Sequence, residues 1–241
     1  MKFYPVKKLI LIFLITTLPH FLTAQEVQEE ISVDSGKNVD LLYREDQFYV
    51  GLTYNILTKK PDGIFSKGFS GGFHLGFLRD FPLNERRNVA LAIGAGYGYD
   101  KYGSNFKIVD TGGEITYSII DPEIDYDTNR FVTHQVEIPL EFRWRTSTPE
   151  SYKFWRIYGG VKTSYIFLYT ATYREGSIKE KVRDIPHFNR LQYTAFLNFG
   201  WNTFNFQVQY LLNPLFDSDA RYNDSPVETG TLKIGLMFYI L

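Results

Sequence analysis

The chain has 241 residues, no cysteine, 17% aromatic residues and a formal net charge of −1 at pH 7. The near-zero charge argues against a nucleic-acid-binding surface, because such a surface needs an excess of Lys and Arg. Without cysteine the chain has neither a disulfide framework nor an acylation site for a lipoprotein anchor.

The first 24 residues have the composition of an export signal. Three lysines precede the apolar run 9–18, and Ala24 ends a plausible cleavage site. The apolar run is shorter than the roughly 20 residues that a membrane-spanning helix needs, so a retained anchor is the weaker alternative. The predicted regions are a signal peptide at 1–24, a polar periplasmic leader at 25–45 and a single barrel domain at 46–241.

Eight later segments alternate apolar side chains with polar or small ones. In the fourth, Val136 and Ile138 alternate with Gln135, Glu137 and Pro139. A strand of a membrane barrel turns alternate side chains toward lipid and lumen, and needs roughly 9–11 residues to cross. In chain order the segments are 48–56, 69–77, 89–99, 132–145, 155–169, 191–201, 204–212 and 231–240. The pattern predicts an all-β fold, an eight-stranded antiparallel transmembrane up-and-down β-barrel.

The connections alternate in length, as in barrels with short periplasmic turns and long external loops. Short connections follow the second, fourth and sixth segments, so both termini are predicted to be periplasmic. The long connection 101–130 is predicted to contain its own hairpin, with its turn at 110–113.

A soluble secreted barrel of the lipocalin type is the alternative fold, and it would turn the apolar face inward. Aromatic residues near the segment ends favour the membrane barrel, because Tyr and Trp form girdles at membrane interfaces. The predicted girdle residues are Tyr97, Tyr99, Trp144, Trp155, Tyr169, Trp201 and Tyr210.

The predicted inner face carries charged side chains that would interlock. An eight-stranded barrel is only wide enough to be filled by its own side chains, so a pore is not expected. The predicted structural network consists of Glu137, Glu141, Arg143, Arg145, Arg156, Lys162 and Lys233. Arg145, Lys153 and Arg156 are also candidates for contact with a partner or lipid headgroups at the periplasmic rim. Pro139, which cannot donate to the ladder, predicts a β-bulge.

The search for chemistry gives no catalytic, cofactor-binding or metal site, and the protein is predicted not to be an enzyme. Ser66 or Ser70 with His74 could form the dyad of a lipid-modifying barrel, but no orienting carboxylate is recognisable. An acidic loop offers oxygen ligands for Ca²⁺ but lacks the glycine and bidentate Glu of an EF-hand. Its acidic residues are Asp121, Glu123, Asp125 and Asp127. The partner predicted from the barrel itself is outer-membrane lipid, with no nucleic acid and no small-molecule substrate.

Two neighbouring segments resemble a known family. The sequence EIPLEFRWRT at 137–146, followed by YKFWRIYGGVK at 152–162, is similar to the hairpin between the fourth and fifth strands of the PorT family of Bacteroidetes outer-membrane barrels. The entry strand FYVGL from Phe48 also agrees, but it recurs across the broader outer-membrane β-barrel superfamily. No catalytic residues carry over from the family.

The resemblance implies an accessory or assembly role in type IX protein secretion, supporting secretion and gliding motility through contacts with other secretion-system proteins. An eight-stranded barrel would not itself be the conduit. An OmpA-like structural or adhesive barrel, acting through its extracellular loops, is the alternative, and a lipid-modifying barrel enzyme is a third hypothesis.

Overall fold

The computed structural model describes residues 44–240, apart from 113, 148–153, 184, 186 and 224. The predicted signal peptide, most of the predicted leader and Lys153 lie outside the described residues. Within the described part of the chain, no helix is long and apolar enough to cross a membrane. The strands are β1 (Gln47–Thr58), β2 (Gly71–Pro82), β3 (Val89–Gly103), β4 (Phe106–Thr111), β5 (Glu114–Ile119), β6 (Thr128–Arg145), β7 (Trp155–Glu175), β8 (Ile178–Arg183), β9 (Leu191–Trp201), β10 (Phe204–Leu211), β11 (Arg221–Tyr222), β12 (Ser225–Pro226) and β13 (Gly230–Ile240).

Eight of these strands form a closed antiparallel barrel. In chain order β1, β2, β3, β6, β7, β9, β10 and β13 each pair with the next, and β13 pairs back with β1. This arrangement confirms the predicted eight-stranded up-and-down barrel. Each strand overlaps one of the predicted segments, although β6 and β7, with 18 and 21 residues, extend further than the alternation indicated.

The two ends of the barrel differ in their connections. Three short connections, at 83–88, 146–154 and 202–203, lie at the same end as residues 47 and 240, which we call the terminus end. Four longer connections lie at the opposite, loop end. The second of them contains the predicted hairpin, formed by β4 and β5, and Gly112 in its turn has a φ of 72°. That left-handed backbone conformation favours glycine.

The outer surface of the barrel is apolar, and the inner surface is polar. On β6, Val136, Ile138 and Phe142 are about half exposed, whereas Glu137 and Arg143 are almost fully buried. A soluble barrel would show the reverse arrangement, because it buries its apolar face. The alternation predicted from the sequence therefore has the facing expected of strands in a bilayer.

A β-bulge lies in β7. The pairing of β6 with β7 shifts register between His134 and Gln135, which leaves Phe167 as the extra residue. Phe167 and Leu168 both face outward, so the facing of the strand reverses and Tyr169 is buried. The prediction that Tyr169 belongs to the outer aromatic girdle was wrong for this reason.

Pro139 does not form the bulge that its sequence position suggested. It pairs with Lys162 of β7 in regular register. On its other side the ladder with β3 is interrupted between Ile93 and Gly96, and the same register resumes beyond the gap. Because proline only lacks the N–H donor, it removes ladder bonds without adding a residue.

Apolar residues of all four long connections pack together at the loop end. Phe216 is at the centre, with its ring centroid 5.3 Å from Phe188, 6.4 Å from Phe106 and 6.5 Å from Phe131. These rings join inward-facing strand residues such as Tyr102 in one buried cluster, which we call the loop-end core. The loops therefore form a packed layer that closes this end of the barrel.

Candidate functional site

The lumen is the most unusual environment in the molecule, because it buries many charged side chains. All seven residues of the predicted lumen network are between 0 and 6% exposed. They do not form one continuous network. The structure separates six of them into a central cluster near the middle of the barrel and a mouth cluster at the terminus end, and it adds carboxylates from other parts of the chain to both. Arg156 belongs to neither cluster.

The central cluster comprises His74, Asp100, Glu137, Lys162 and Lys233. Glu137 Oε1 accepts a hydrogen bond from Lys162 Nζ at 2.8 Å and lies 2.9 Å from His74 Nδ1. Lys233 Nζ donates to the carboxylate of Asp100, and the second ring nitrogen of His74 lies 3.5 Å from that carboxylate. Two carboxylates and two ammonium groups therefore balance in a region where an unpaired charge would be very costly.

Amide side chains orient the carboxylates of the central cluster. Asn55 donates to Asp100 at 2.8 Å, and Gln135 donates to Glu137 at 2.7 Å. Gly98 provides the space, since a methyl group there would lie 2.5 Å from Oε1 of Glu137. The small residues on the inner face of β2 and β3 leave room for these long side chains.

The mouth cluster comprises Glu45, Asp80, Glu141, Arg143 and Arg145. Arg145 donates to both carboxylate oxygens of Asp80, at 2.9 and 2.8 Å, and Arg143 donates to the same carboxylate at 3.0 Å. Arg143 Nε also donates to Glu141 at 3.0 Å. Asp80 is fully buried, so one carboxylate on β2 holds two guanidinium groups of β6.

Glu45 enters the mouth from the segment that precedes β1. Its backbone oxygen accepts a hydrogen bond from Arg143 at 3.1 Å, and its carboxylate lies 3.6 Å from Arg145. Burial raises the pKa of Glu45 above its ordinary value, although Arg145 and Arg156 oppose this shift. The end of the predicted leader thus contributes a side chain to the interior of the barrel.

Arg156 is buried against aromatic rings, and it forms no ion pair with a carboxylate of the described residues. Its guanidinium carbon lies 4.4 Å from the ring centre of Phe154 and within 6 Å of Tyr158 and Tyr239. Arg145 and Arg156 were both expected to be available at the rim. Both point inward and are buried, so neither presents its guanidinium group to a partner there.

The space left in the lumen is very small. A cavity of about 20 Å³ lies between the two clusters, bordered by Tyr49, His74 and Glu137. This volume is enough for about one water molecule. The loop-end core closes the barrel beyond the central cluster, so the described residues leave no continuous passage through the barrel.

The structure does not assemble the serine–histidine pair considered from the sequence. In the described residues His74 Nδ1 contacts Glu137, and its Nε2 has no hydrogen-bond partner. The Ser70 hydroxyl instead accepts a hydrogen bond from the backbone of Gly103 at 2.9 Å. His74 is also completely buried. The prediction that the protein is not an enzyme remains a prediction.

The acidic loop residues likewise do not converge on one point. Asp121 accepts a bond from the backbone of Glu123, and Asp127 accepts one from Gly176. Within the described part of the chain, the group of three potential metal ligands that comes together is His187, Asp217 and Asp219, with ligand atoms within 4.8 Å of one another. These three residues are partly or fully exposed.

Three lumen carboxylates were missing from the prediction: Glu45, Asp80 and Asp100. Asp80 lies on the same face of β2 as His74, three positions beyond the predicted end of that strand. Asp100 likewise lies one position beyond the predicted third segment and on its inner face. Extending the alternation into the flanking polar residues would have found these two, whereas nothing in the sequence places Glu45 in the lumen.

Comparison with known proteins agrees with this architecture. Residues 24–222, more than four fifths of the chain, match the family described as the outer membrane protein beta-barrel domain. No curated protein matches the sequence. A closed barrel with an apolar outer face and a polar, filled lumen is the structure expected for that family. The chain therefore belongs to the outer-membrane β-barrel family, and the outer membrane is its location.

Proposed function

We propose that this protein is an accessory or assembly subunit of the type IX secretion system, with both termini in the periplasm. The proposal is supported by the resemblance of the β6–β7 hairpin to the PorT family. In that hairpin, Glu137, Glu141, Arg143 and Lys162 supply much of the lumen network.

The filled lumen is the observation that decides how such a subunit would work. A cavity of about 20 Å³ admits no polypeptide, and the loop-end core closes one end of the barrel. The protein must therefore act through contacts on its outside. An outer-membrane barrel without a channel is suited to holding or assembling neighbouring proteins.

The terminus end offers a surface for such a contact. A groove of about 810 Å³ borders the turn between β2 and β3 and is lined by Arg44, Leu83 and Arg87 among others. Leu83 is 59% exposed, and the neighbouring Arg86 is also exposed. The lining also contains the exposed Glu85, but arginines are in excess, so the groove suits an acidic protein partner with an apolar patch. This groove replaces the buried Arg145 and Arg156 as the candidate rim contact.

The test compares the secreted proteins of a deletion strain with those of its parent. We expect the culture medium of the deletion strain to lose many secreted proteins together, as measured by mass spectrometry. Wild-type protein should restore them, whereas a Leu83→Glu, Arg86→Glu variant should not. The control is a Lys59→Glu, Phe65→Glu variant at exposed positions of the loop end. All three proteins must first show the heat-modifiable gel mobility of a folded barrel.

Unchanged secretion in the deletion strain would rule out the proposed function. The alternative is then an OmpA-like structural or adhesive barrel. The packed loop-end core favours this second candidate, since it gives the loops a fixed surface. That function predicts loss of a surface property such as adhesion, with secretion intact.

A further inference from the structure

One side of the barrel carries six cations on a continuous outer surface at the loop end. This basic face is formed by β3, β6, β7 and β8. On β8, Lys179, Lys181 and Arg183 are exposed, while the intervening Val182 is buried in the loop-end core. The alternation of a strand therefore turns all three cations to one side. The basic face consists of Lys101, Arg130, Arg174, Lys179, Lys181 and Arg183.

Strand pairing arranges these residues in three rows. The row nearest the apolar band runs Lys101, Val132, Thr170, Arg183, because each residue pairs with the next across β3, β6, β7 and β8. The second row runs Arg130, Thr172, Lys181. The third runs Thr128, Arg174, Lys179. Arg174 and Lys179 are directly paired, and directly paired side chains start roughly 5 Å apart while diagonal ones start roughly 7–8 Å apart, so neighbouring cations of the face can contact the same headgroup.

None of these six cations forms a salt bridge with a carboxylate of the described residues. The nearby acidic side chains have other partners: Glu180 pairs with Lys107 at 2.9 Å, Glu175 accepts a hydrogen bond from Tyr173, and Asp127 accepts one from the backbone of Gly176. The six cations outnumber the nearby carboxylates Asp127 and Glu175, whose hydrogen-bond donors are neutral, so the face keeps an excess of positive charge in a chain whose net charge is −1. Such a patch attracts anions.

Protection of an edge strand does not account for the basic face. Lysines on an edge strand prevent pairing with other chains, and β8 is such a strand. Lys101, Arg130 and Arg174, however, lie on β3, β6 and β7, which belong to the closed barrel. Half of the basic face therefore needs another explanation.

The height of the basic face relative to the membrane points to that explanation. Next to the first row, on the side of the apolar band, the hydroxyl of Tyr97 and Nδ1 of His134 share a hydrogen bond of 2.6 Å. The ring of Tyr99 lies 5.3 Å from the same imidazole. Such aromatic residues mark the edge of the apolar band. Thr170, in the first row, is two residues beyond the outward-facing Leu168, or about 5–7 Å along the strand. The first row therefore lies in the headgroup layer, and the other two rows extend away from the membrane.

We propose that the basic face binds the phosphate groups of anionic lipid headgroups in the leaflet at the loop end. The cations attract the negatively charged phosphates. Because the three rows lie at successive distances from the apolar band, they can contact phosphates at different depths of the headgroup layer. Thr170 and Thr172, between the cations, add hydroxyl donors for phosphate oxygens. This inference does not depend on the role in secretion.

The test measures retention of phosphorylated lipid by the purified, folded full chain in non-ionic detergent. Diphosphoryl and monophosphoryl lipid A are the probes, and native mass spectrometry counts the bound lipid. The test variant is Arg130→Gln, Lys181→Gln, Arg183→Gln. The control variant removes three exposed cations outside the basic face and the terminus-end groove: Lys59→Gln, Arg79→Gln, Arg221→Gln. Heat-modifiable mobility establishes that each variant is folded.

We expect the wild-type protein to prefer diphosphoryl over monophosphoryl lipid A. The test variant should bind diphosphoryl lipid A at least about tenfold more weakly, since each cation near an anionic headgroup contributes roughly fivefold. The control variant should bind as the wild type does, and about 0.5 M salt should narrow the difference.

Equal retention by the test and control variants would overturn the proposal. The proposal would also be overturned if the protein retained no lipid A but bound soluble polyglutamate tightly, and if that binding were lost in the test variant. That second outcome would identify the face as a docking surface for an acidic protein.

Discussion

Arg145 of β6 holds both carboxylate oxygens of Asp80 of β2 inside the terminus end of the barrel, through hydrogen bonds of 2.9 and 2.8 Å. The two strands are not neighbours in the sheet, since β3 lies between them. The side chains of β6 and β2 therefore meet over the inner face of β3. Arg143 shares the same carboxylate, so Asp80 offsets part of the charge of both arginines, and Glu141 and Glu45 supply the remaining negative charge.

Replacing Asp80 by Asn should destabilise the barrel strongly. The variant keeps the shape of the side chain but leaves two buried guanidinium groups short of a negative charge, which costs about 3–5 kcal/mol. Urea unfolding from detergent micelles, followed by tryptophan fluorescence, measures this loss. Glu85→Gln, in the exposed turn nearby, is the control and should unfold like the wild type. Equal midpoints for both variants would show that the mouth cluster does not stabilise the fold.

The loop-end core should have its own stability, distinct from that of the barrel. Phe216→Ala removes a buried ring that contacts four other aromatic rings, which costs about 3–5 kcal/mol of local packing. We expect proteolysis within the long connections to become much faster, while heat-modifiable mobility is retained. Phe65→Ala is the control, because Phe65 is 47% exposed. Unaltered proteolysis of the Phe216 variant would contradict a packed loop layer.

The number, order and facing of the barrel strands could be predicted because they depend on a local pattern. Period-two alternation decides which side chain faces lipid, and the length of each connection decides at which end it lies. The lumen position of Glu137 and Arg143 follows from the same alternation. Asp80, the partner of Arg143, and Asp100, the partner of Lys233, lie near the ends of β2 and β3 and were missed only because those strands continue into polar sequence.

Other features depend on contacts that the local sequence does not encode. The bulge at Phe167 reverses the facing of Tyr169, yet the surrounding residues are uniformly apolar and aromatic. The loop-end core gathers residues such as Ile64 and Phe216, which are far apart in the sequence and show no periodicity. Glu45 lies in the lumen because its backbone oxygen and its carboxylate contact Arg143 and Arg145, which come from a distant part of the sequence.

Single cysteines can test the reversal of facing in β7, because the chain contains no cysteine of its own. We expect Leu168→Cys to react with a lipid-soluble maleimide in vesicles, since Leu168 faces outward. Tyr169→Cys should react slowly, because the residue lies 2% exposed inside the barrel. Val161→Cys, which faces outward below the bulge, is the positive control. Faster labelling at residue 169 than at 168 would mean that the strand continues without a bulge.

The filled lumen predicts that the barrel does not conduct ions. In planar bilayers the wild-type protein should give no stable conductance steps, because its cavity of about 20 Å³ is bounded by interlocking charges. A triple variant should show transient openings, because it lacks two lumen ammonium groups and its loop-end core is weakened. Its substitutions are Lys162→Ala, Lys233→Ala and Phe216→Ala. Stable openings of the wild type at low voltage would contradict a closed barrel.

The proposed orientation predicts which end of the barrel faces the exterior. Ser177, in the exposed turn between β7 and β8, and Glu85, in the exposed turn between β2 and β3, lie at opposite ends. In intact cells a membrane-impermeant maleimide should label Ser177→Cys and leave Glu85→Cys unlabelled. Both should label equally after the outer membrane is permeabilised, which controls for the reactivity of each thiol. Labelling of Glu85→Cys alone in intact cells would place the termini outside, and the terminus-end groove could then not meet a periplasmic partner.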